Sequence, residues 1–146
     1  MKKLITICAL SILAFINATY LTVQNYKIEQ AENIGQISSF CDLNNTFSCT
    51  NVLSSPYSKI FGMPFTAVAM VVYPVIFLIA FLGIGGIIKK PFIILALMGI
   101  GGILFNSYFI YQEYANIGAY CPLCLLCSGM IITIFILSCI GFKKQQ

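Results

Sequence analysis

The sequence predicts an all-α integral membrane protein: a four-transmembrane-helix bundle carrying a cysteine-containing outer loop and a short interfacial helix. Three observations predict it. The 146 residues are 60% hydrophobic and 8% charged, with a mean hydropathy of +0.95, outside the range of soluble globular domains. The apolar residues gather into four runs, Leu4–Val23, Pro64–Ile88, Pro91–Tyr114 and Pro122–Phe142. Each reaches the roughly 20 residues that a helix needs to cross about 30 Å of hydrocarbon. Finally, six of the eight lysines occur as doublets, Lys2-Lys3, Lys89-Lys90 and Lys143-Lys144, at alternate ends of these runs. A chain of this length spent this way builds one membrane domain over residues 1–146.

The first run begins with Met-Lys-Lys and has a small residue at Ala18, a pattern shared with cleavable signal peptides. A retained helix is the favoured reading, because the apolar pattern continues through Tyr20, Leu21 and Val23 to nearly full span length. Residues 24–50 are polar, rich in Asn, Gln and Ser, and hold Cys41 and Cys49; such a stretch is mobile unless a disulfide pins it. From residue 52 the apolar positions pair as Val52/Leu53, Pro56/Tyr57 and Ile60/Phe61, a spacing of four that places them on one helical face. This predicts a short helix lying apolar side down on the membrane surface, as a lid over the bundle, with Ser55 and Pro56 as cap and first-turn pair.

Pro74 is expected to kink the second span, and Gly99, Gly101 and Gly102 in the third to let a neighbouring helix approach. Asn106 is the one strongly polar side chain well inside the second, third or fourth span, about two turns from Glu113. An intramembrane amide needs a partner, either a ligand carbonyl or a neighbouring backbone group. The fourth span opens with Cys121-Pro122-Leu123-Cys124, and Pro122 suits a first helical turn.

The lysine doublets place both termini and the 89–90 turn in the cytoplasm by the positive-inside rule, and the 24–63 loop and 115–120 turn outside. All four acids (Glu29, Glu32, Asp42 and Glu113) lie near the outer ends. The net charge of +4 therefore reflects topology, and the partner that it implies is membrane lipid and not nucleic acid. Cys41, Cys49, Cys121 and Cys124 all fall on the outer side, which in a bacterium is oxidising.

These four cysteines carry the chemistry. In a C-x-x-C at a helix N-terminus, unpaired backbone N–H groups and the positive dipole end favour the thiolate of the first cysteine and make it reactive. Zinc is the alternative use of such a motif, but the chain has no histidine, few nearby carboxylates and only Cys127 as a further thiol close by. Redox use is favoured. For Cys41 and Cys49 the plain alternative is a static disulfide of an exported loop; beside a second outward thiol pair, exchange is favoured. Cys8, Cys127 and Cys139 read as small apolar packing residues. The absence of histidine also excludes bis-histidine haem, histidine proton relays and Ser-His hydrolases.

Cys41-x7-Cys49, followed by Val52-Leu53-Ser54-Ser55-Pro56-Tyr57, Gly62-Met63-Pro64 and Cys121-Pro122-Leu123-Cys124, resembles the vitamin K epoxide reductase family, in particular its bacterial members. The resemblance covers nearly the whole chain. The disulfide bond formation protein B family, also built of four helices, carries its C-x-x-C before its widely spaced pair, the reverse of the order here. What the resemblance implies is a relay. A thioredoxin-fold protein delivers electrons to Cys41 and Cys49, Cys49 exchanges with Cys121, and Cys124 faces a quinone of ubiquinone or menaquinone type. The family's assisting Ser/Thr corresponds to Ser55. Some bacterial members carry a fused thioredoxin-like domain; this chain ends at Gln146 without one, so the implied partner is a separate exported dithiol oxidase.

The expected function is therefore a quinone-dependent thiol oxidase supporting disulfide bond formation. Its rivals are a reductase whose useful product is the reduced quinone or quinone epoxide, a non-enzymatic four-span scaffold with structural disulfides, and a transporter of reducing equivalents. The last would need thiols reachable from the cytoplasm, where only Cys8 and Cys139 lie.

Overall fold

The computed structural model describes residues 1–31, 42–44 and 46–143. Four of its helices are long and apolar enough to cross a membrane, α1 (Lys2–Ala31), α3 (Phe65–Ile84), α4 (Pro91–Gln112) and α5 (Pro122–Lys143). Between α1 and α3 lies a short helix, α2 (Cys49–Ser54). The protein is a multi-pass membrane bundle. Its outward faces are apolar, with Leu13, Ile16, Val71, Leu78, Leu97, Leu104, Ile132 and Ile136 all exposed, as lipid-facing helices require.

The bundle core is built on Ile7, Ile76, Leu95 and Ile134, each fully buried, with Ala14, Ala18 and Ala80 allowing close packing. Polar bonds tie the helices across this core. Thr22 and Thr66 hydroxyls meet at 2.9 Å between α1 and α3, the Tyr73 hydroxyl donates to the Cys127 carbonyl at 3.3 Å, and the Asn17 amide donates to the Leu123 carbonyl at 2.9 Å. Between α4 and α5, Gly102 allows a close approach: a Cβ there would stand 2.8 Å from the Ile131 side chain, which would have to shift. Gly99 packs in the same way against Phe135, but a Cβ at Gly101 would meet nothing within 4 Å. Of the three glycines expected to admit a neighbour, two do so, and Gly101 is rotated off the contact face by the helical period. Helix α3 runs unbroken through Pro74, whose ring leaves the Met70 carbonyl without its usual donor.

Two boundaries differ from the sequence reading. Helix α1 extends to Ala31, eight residues beyond the expected end of the span at Val23, because its polar extension finds partners. The buried Asn25 amide donates to the Leu53 carbonyl at 2.7 Å, and Glu29 pairs with Lys59. The segment after residue 48 is not one helix. The Ser48 hydroxyl accepts from the Asn51 N–H, so α2 starts at Cys49, and Pro56, which cannot donate to the helix, opens a separate 3-10 turn, Pro56–Ser58. Ser55 caps that turn by accepting from the Tyr57 N–H, in line with the expected pairing of Ser55 and Pro56. Strands β1 (Lys59–Ile60) and β2 (Met63–Pro64) then form a minimal antiparallel hairpin, turning through Phe61 and Gly62 at φ of 49° and 81°.

The expected single apolar face is consequently divided. Val52 and Leu53 are buried on the bundle and Ile60 packs partly against it, whereas Tyr57 and Phe61 point away from it, Phe61 being 99% exposed.

Candidate functional site

The site is assembled at the end of the bundle where α2 meets the start of α5. Backbone pairing sets its register. Phe47 and Tyr120 form a parallel bridge in which the Tyr120 N–H donates to the Thr46 carbonyl at 2.7 Å and the Ser48 N–H to the Tyr120 carbonyl at 3.1 Å. Cys121 follows Tyr120 directly and Cys49 lies two residues after Phe47, at the start of α2, so the bridge sets the two cysteines side by side. Asp42 holds the other side of the same segment. One carboxylate oxygen accepts from the Ser48 hydroxyl at 2.8 Å and the Thr50 N–H at 3.0 Å, and the other accepts from the Thr50 hydroxyl.

The result is a contact of 3.2 Å between the Cys121 and Cys49 sulfur atoms, both fully buried. Cys49 is disulfide-bonded, while Cys121 and Cys124 are free thiols. A sulfur nucleophile within about 3–3.5 Å of a disulfide sulfur is at near-attack distance. Cys121 immediately precedes Pro122, the first residue of α5, and the Cys124 N–H donates to its sulfur at 3.3 Å. That bond stabilises negative charge as it develops on sulfur during exchange. Leu21, Val52, Leu53, Phe65, Phe109 and Ala119 pack around the three cysteines and exclude water from them.

Below the thiols lies a cavity of about 300 Å³. Its walls are mostly apolar, from α1, α3, α4 and α5, and both Cys124 and Asn106 line it. Phe65, stacked on Phe109 with ring centroids 4.5 Å apart, supplies a flat wall. Tyr73, Thr66 and Cys127 add polar or polarisable groups. An apolar slot with a few convergent polar atoms and a thiol in its wall suits a planar, apolar molecule with carbonyl oxygens.

Of the residues singled out from sequence, Cys49, Cys121 and Cys124 are together, and Cys124 and Asn106 share the cavity. Cys41 lies outside the described residues. Ser55 does not line the cavity; its hydroxyl is engaged in the 3-10 cap. The sequence reading missed Glu113, a carboxyl only 2% exposed, one of whose oxygens accepts from the Cys121 N–H at 3.4 Å. It also missed Asn17, whose amide reaches the Cys127 sulfur at 3.1 Å, and the clamp made by Asp42. The sequence signal for Glu113 is its place eight residues before Cys121.

The family model for the vitamin K epoxide reductase family matches residues 5–139, almost the entire chain. The chain belongs to that family. This vitamin K epoxide reductase family member is accordingly an oxidoreductase of the quinone-linked disulfide type, and its cysteine cluster lies within the matched region. A comparison with curated proteins finds no match.

Proposed function

We propose that this protein is a quinone-dependent thiol oxidase that regenerates a separate, exported thioredoxin-fold dithiol protein and so supports disulfide bond formation. The single observation that carries the reading is the 3.2 Å approach of the Cys121 sulfur to the disulfide-bonded Cys49, with Cys124 in the wall of an apolar cavity. In this reading the contact links the loop cysteines to a thiol in the wall of the cavity where a lipid-dissolved acceptor would sit.

A thiolate of the partner attacks Cys41 and forms a mixed disulfide, releasing Cys49; the partner's second thiol then resolves it, leaving the partner oxidised and the loop pair reduced. The Cys49 thiolate attacks the Cys121–Cys124 disulfide at Cys121, and Cys124 leaves. Cys41 next attacks Cys49, restoring the loop disulfide and freeing Cys121. The arrangement described above, with Cys49 oxidised and Cys121 and Cys124 reduced, corresponds to the end of that sequence. Ser55 is assigned an assisting role by its correspondence within the family, acting through the turn that it caps.

Cys124 and Asn106 would hold a quinone of ubiquinone or menaquinone type, which when bound supplies a two-electron, two-proton acceptor. The thermodynamic direction agrees: strongly oxidising thioredoxin-fold proteins sit near about −120 mV, and a respiratory quinone pool is more oxidising still. The cysteine end faces the outer side and both termini face the cytoplasm, as the lysine doublets require.

The test is reconstitution in vesicles with reduced thioredoxin-fold partner, with and without added ubiquinone or menaquinone, following alkylation of Cys121 and Cys124. Quinone-dependent oxidation of both thiols and of the partner is expected. Thiols that keep the same state in both conditions would leave a static scaffold as the better reading. Disulfide formation in exported proteins that persists after loss of the gene would favour reduction of the quinone as the useful product.

A further inference from the structure

Glu113 is a buried acid beside a redox centre that must take up and release protons. Helix α4 ends at Gln112, and the chain then makes a single wide π-turn, Glu113–Ile117, closed by Gly118 at φ of 68°, whose N–H donates to the Glu113 carbonyl at 2.9 Å. The turn directs the Glu113 side chain inward instead of to solvent. One of its oxygens accepts from the Cys121 N–H, and the turn that carries it packs against α2. The one ion pair among the described residues, Lys59 with Glu29, does not involve it.

A carboxylate buried without a cation is costly, and a glutamine would accept from the Cys121 N–H at no such cost. The charge therefore calls for a use. The neighbouring chemistry supplies one, because each turn of thiol–disulfide exchange at Cys121 alternates a sulfur that needs a proton with one that must lose it. With no histidine in the chain, Glu113 is the ionisable oxygen group in contact with the C-x-x-C backbone.

We infer that Glu113 exchanges a proton with Cys121 and so acts as the proton carrier of the thiol relay. The inference rests on the relay between Cys49 and Cys121 described above, but needs nothing from the quinone step. When Cys41 attacks the Cys49–Cys121 disulfide, the Cys41–Cys49 bond forms, the Cys49–Cys121 bond breaks, and the electron pair stays on the Cys121 sulfur. The Glu113 carboxylic acid gives that sulfur its proton and becomes a carboxylate. The Cys41 thiol proton is released to water, so charge and protons balance. When a two-electron oxidant, the quinone in turnover or the added oxidant in the test below, next joins Cys121 and Cys124 as a disulfide, both electrons and the Cys124 proton go to that oxidant, the Cys121 S–H bond breaks and its proton returns to Glu113. The carboxyl is thus protonated while Cys121–Cys124 is a disulfide and ionised while the pair is reduced.

Infrared difference spectroscopy on the purified full chain, cycled between oxidant and dithiothreitol with no quinone added, reads this directly. A carboxylic-acid carbonyl band is expected in the oxidised state, lost on reduction and absent in Glu113→Gln. In the same variant, resolution of the Cys49–Cys121 mixed disulfide, trapped by acid quench, should slow about 100-fold, the lower end of what general acid catalysis contributes. Glu113→Asp should recover part of the rate, whereas a purely structural role would be rescued by Gln. No redox-linked carboxyl band in the wild-type chain, a band that survives Glu113→Gln, or a resolution rate in Glu113→Gln within twofold of wild type would each overturn the inference. Absence of the wild-type band overturns the inference even if the variants fail to fold, and Glu113→Asp, with its shifted carboxyl band, assigns the band if Glu113→Gln does not fold. Failure of quinone turnover alone would count against the proposed function and leave this inference standing.

Discussion

Removing the Asp42 carboxylate should loosen the segment that presents Cys49 without unfolding the bundle. Among the described residues, Asp42 accepts from the Ser48 hydroxyl, the Thr50 N–H and the Thr50 hydroxyl, and each of these three bonds ties down a residue flanking Cys49. Bonds to a charged acceptor contribute about 1.5 kcal/mol each at the low end, which bounds the total near about 4.5 kcal/mol. Asp42 is half-buried, so in Asp42→Ala water replaces much of what is lost, and a net of about 2 kcal/mol remains. That corresponds to a roughly 30-fold increase in the opening equilibrium of residues 46–54. Hydrogen exchange followed by mass spectrometry measures it: amides of the 46–54 peptide should exchange about 30-fold faster, with α1, α4 and α5 unchanged. Asp42→Asn, which keeps one acceptor oxygen, should fall between. Exchange in Asp42→Ala within threefold of wild type would show that the Phe47–Tyr120 bridge and the buried Val52 and Leu53 hold the segment by themselves, and that the clamp contributes nothing.

Other substitutions separate the parts of the structure. Leu53→Asp places a carboxylate at a fully buried position against the cysteine cluster and should cost about 4 kcal/mol or more, read as a collapse in folded yield, whereas Phe61→Asp at the exposed hairpin tip should fold normally. Gly102→Ala drives a Cβ into Ile131 and should destabilise the bundle by about 1–3 kcal/mol in thermal unfolding, while Gly101→Leu, at a position with open space beside the cavity, should leave stability intact and raise the KM for quinone. Replacing Cys8, Cys127 and Cys139 together by Ala should leave thiol transfer intact, with a stability loss of about 1 kcal/mol arising at Cys127, where the Asn17 amide loses one acceptor.

The spans were legible because a lipid-facing helix must be apolar all round, a pattern that no loop of this chain imitates. The ends were not, and the reason is distance along the chain. Helix α1 continues to Ala31 because Asn25 and Glu29 find Leu53 and Lys59, partners 28 and 30 residues away that no local pattern announces. The lid was read from apolar spacing alone, which treated Pro56 as a helix start; as the structure shows, it is also a stop for the helix that begins at Cys49. Gly99, Gly101 and Gly102 look alike in sequence, yet the helical period turns only the first and third toward α5. Cysteines stood out because nothing else in a chain without histidine carries thiol chemistry. Glu113 did not, since its inward direction depends on a π-turn and a left-handed Gly118 that the surrounding residues do not signal.

Peptide mapping of the Cys124→Ser variant under non-reducing conditions, purified without reductant, tests the relay most directly. Cys121 has then lost its resolving thiol, and its sulfur lies 3.2 Å from that of Cys49. The expected product is a Cys49–Cys121 disulfide, formed as the Cys121 thiolate attacks Cys49 of the loop disulfide, with Cys41 released as a thiol that can be alkylated. A Cys121 that remains a free thiol while the Cys49 disulfide of the loop persists would contradict the account, because two thiol pairs in contact but without exchange carry no electrons.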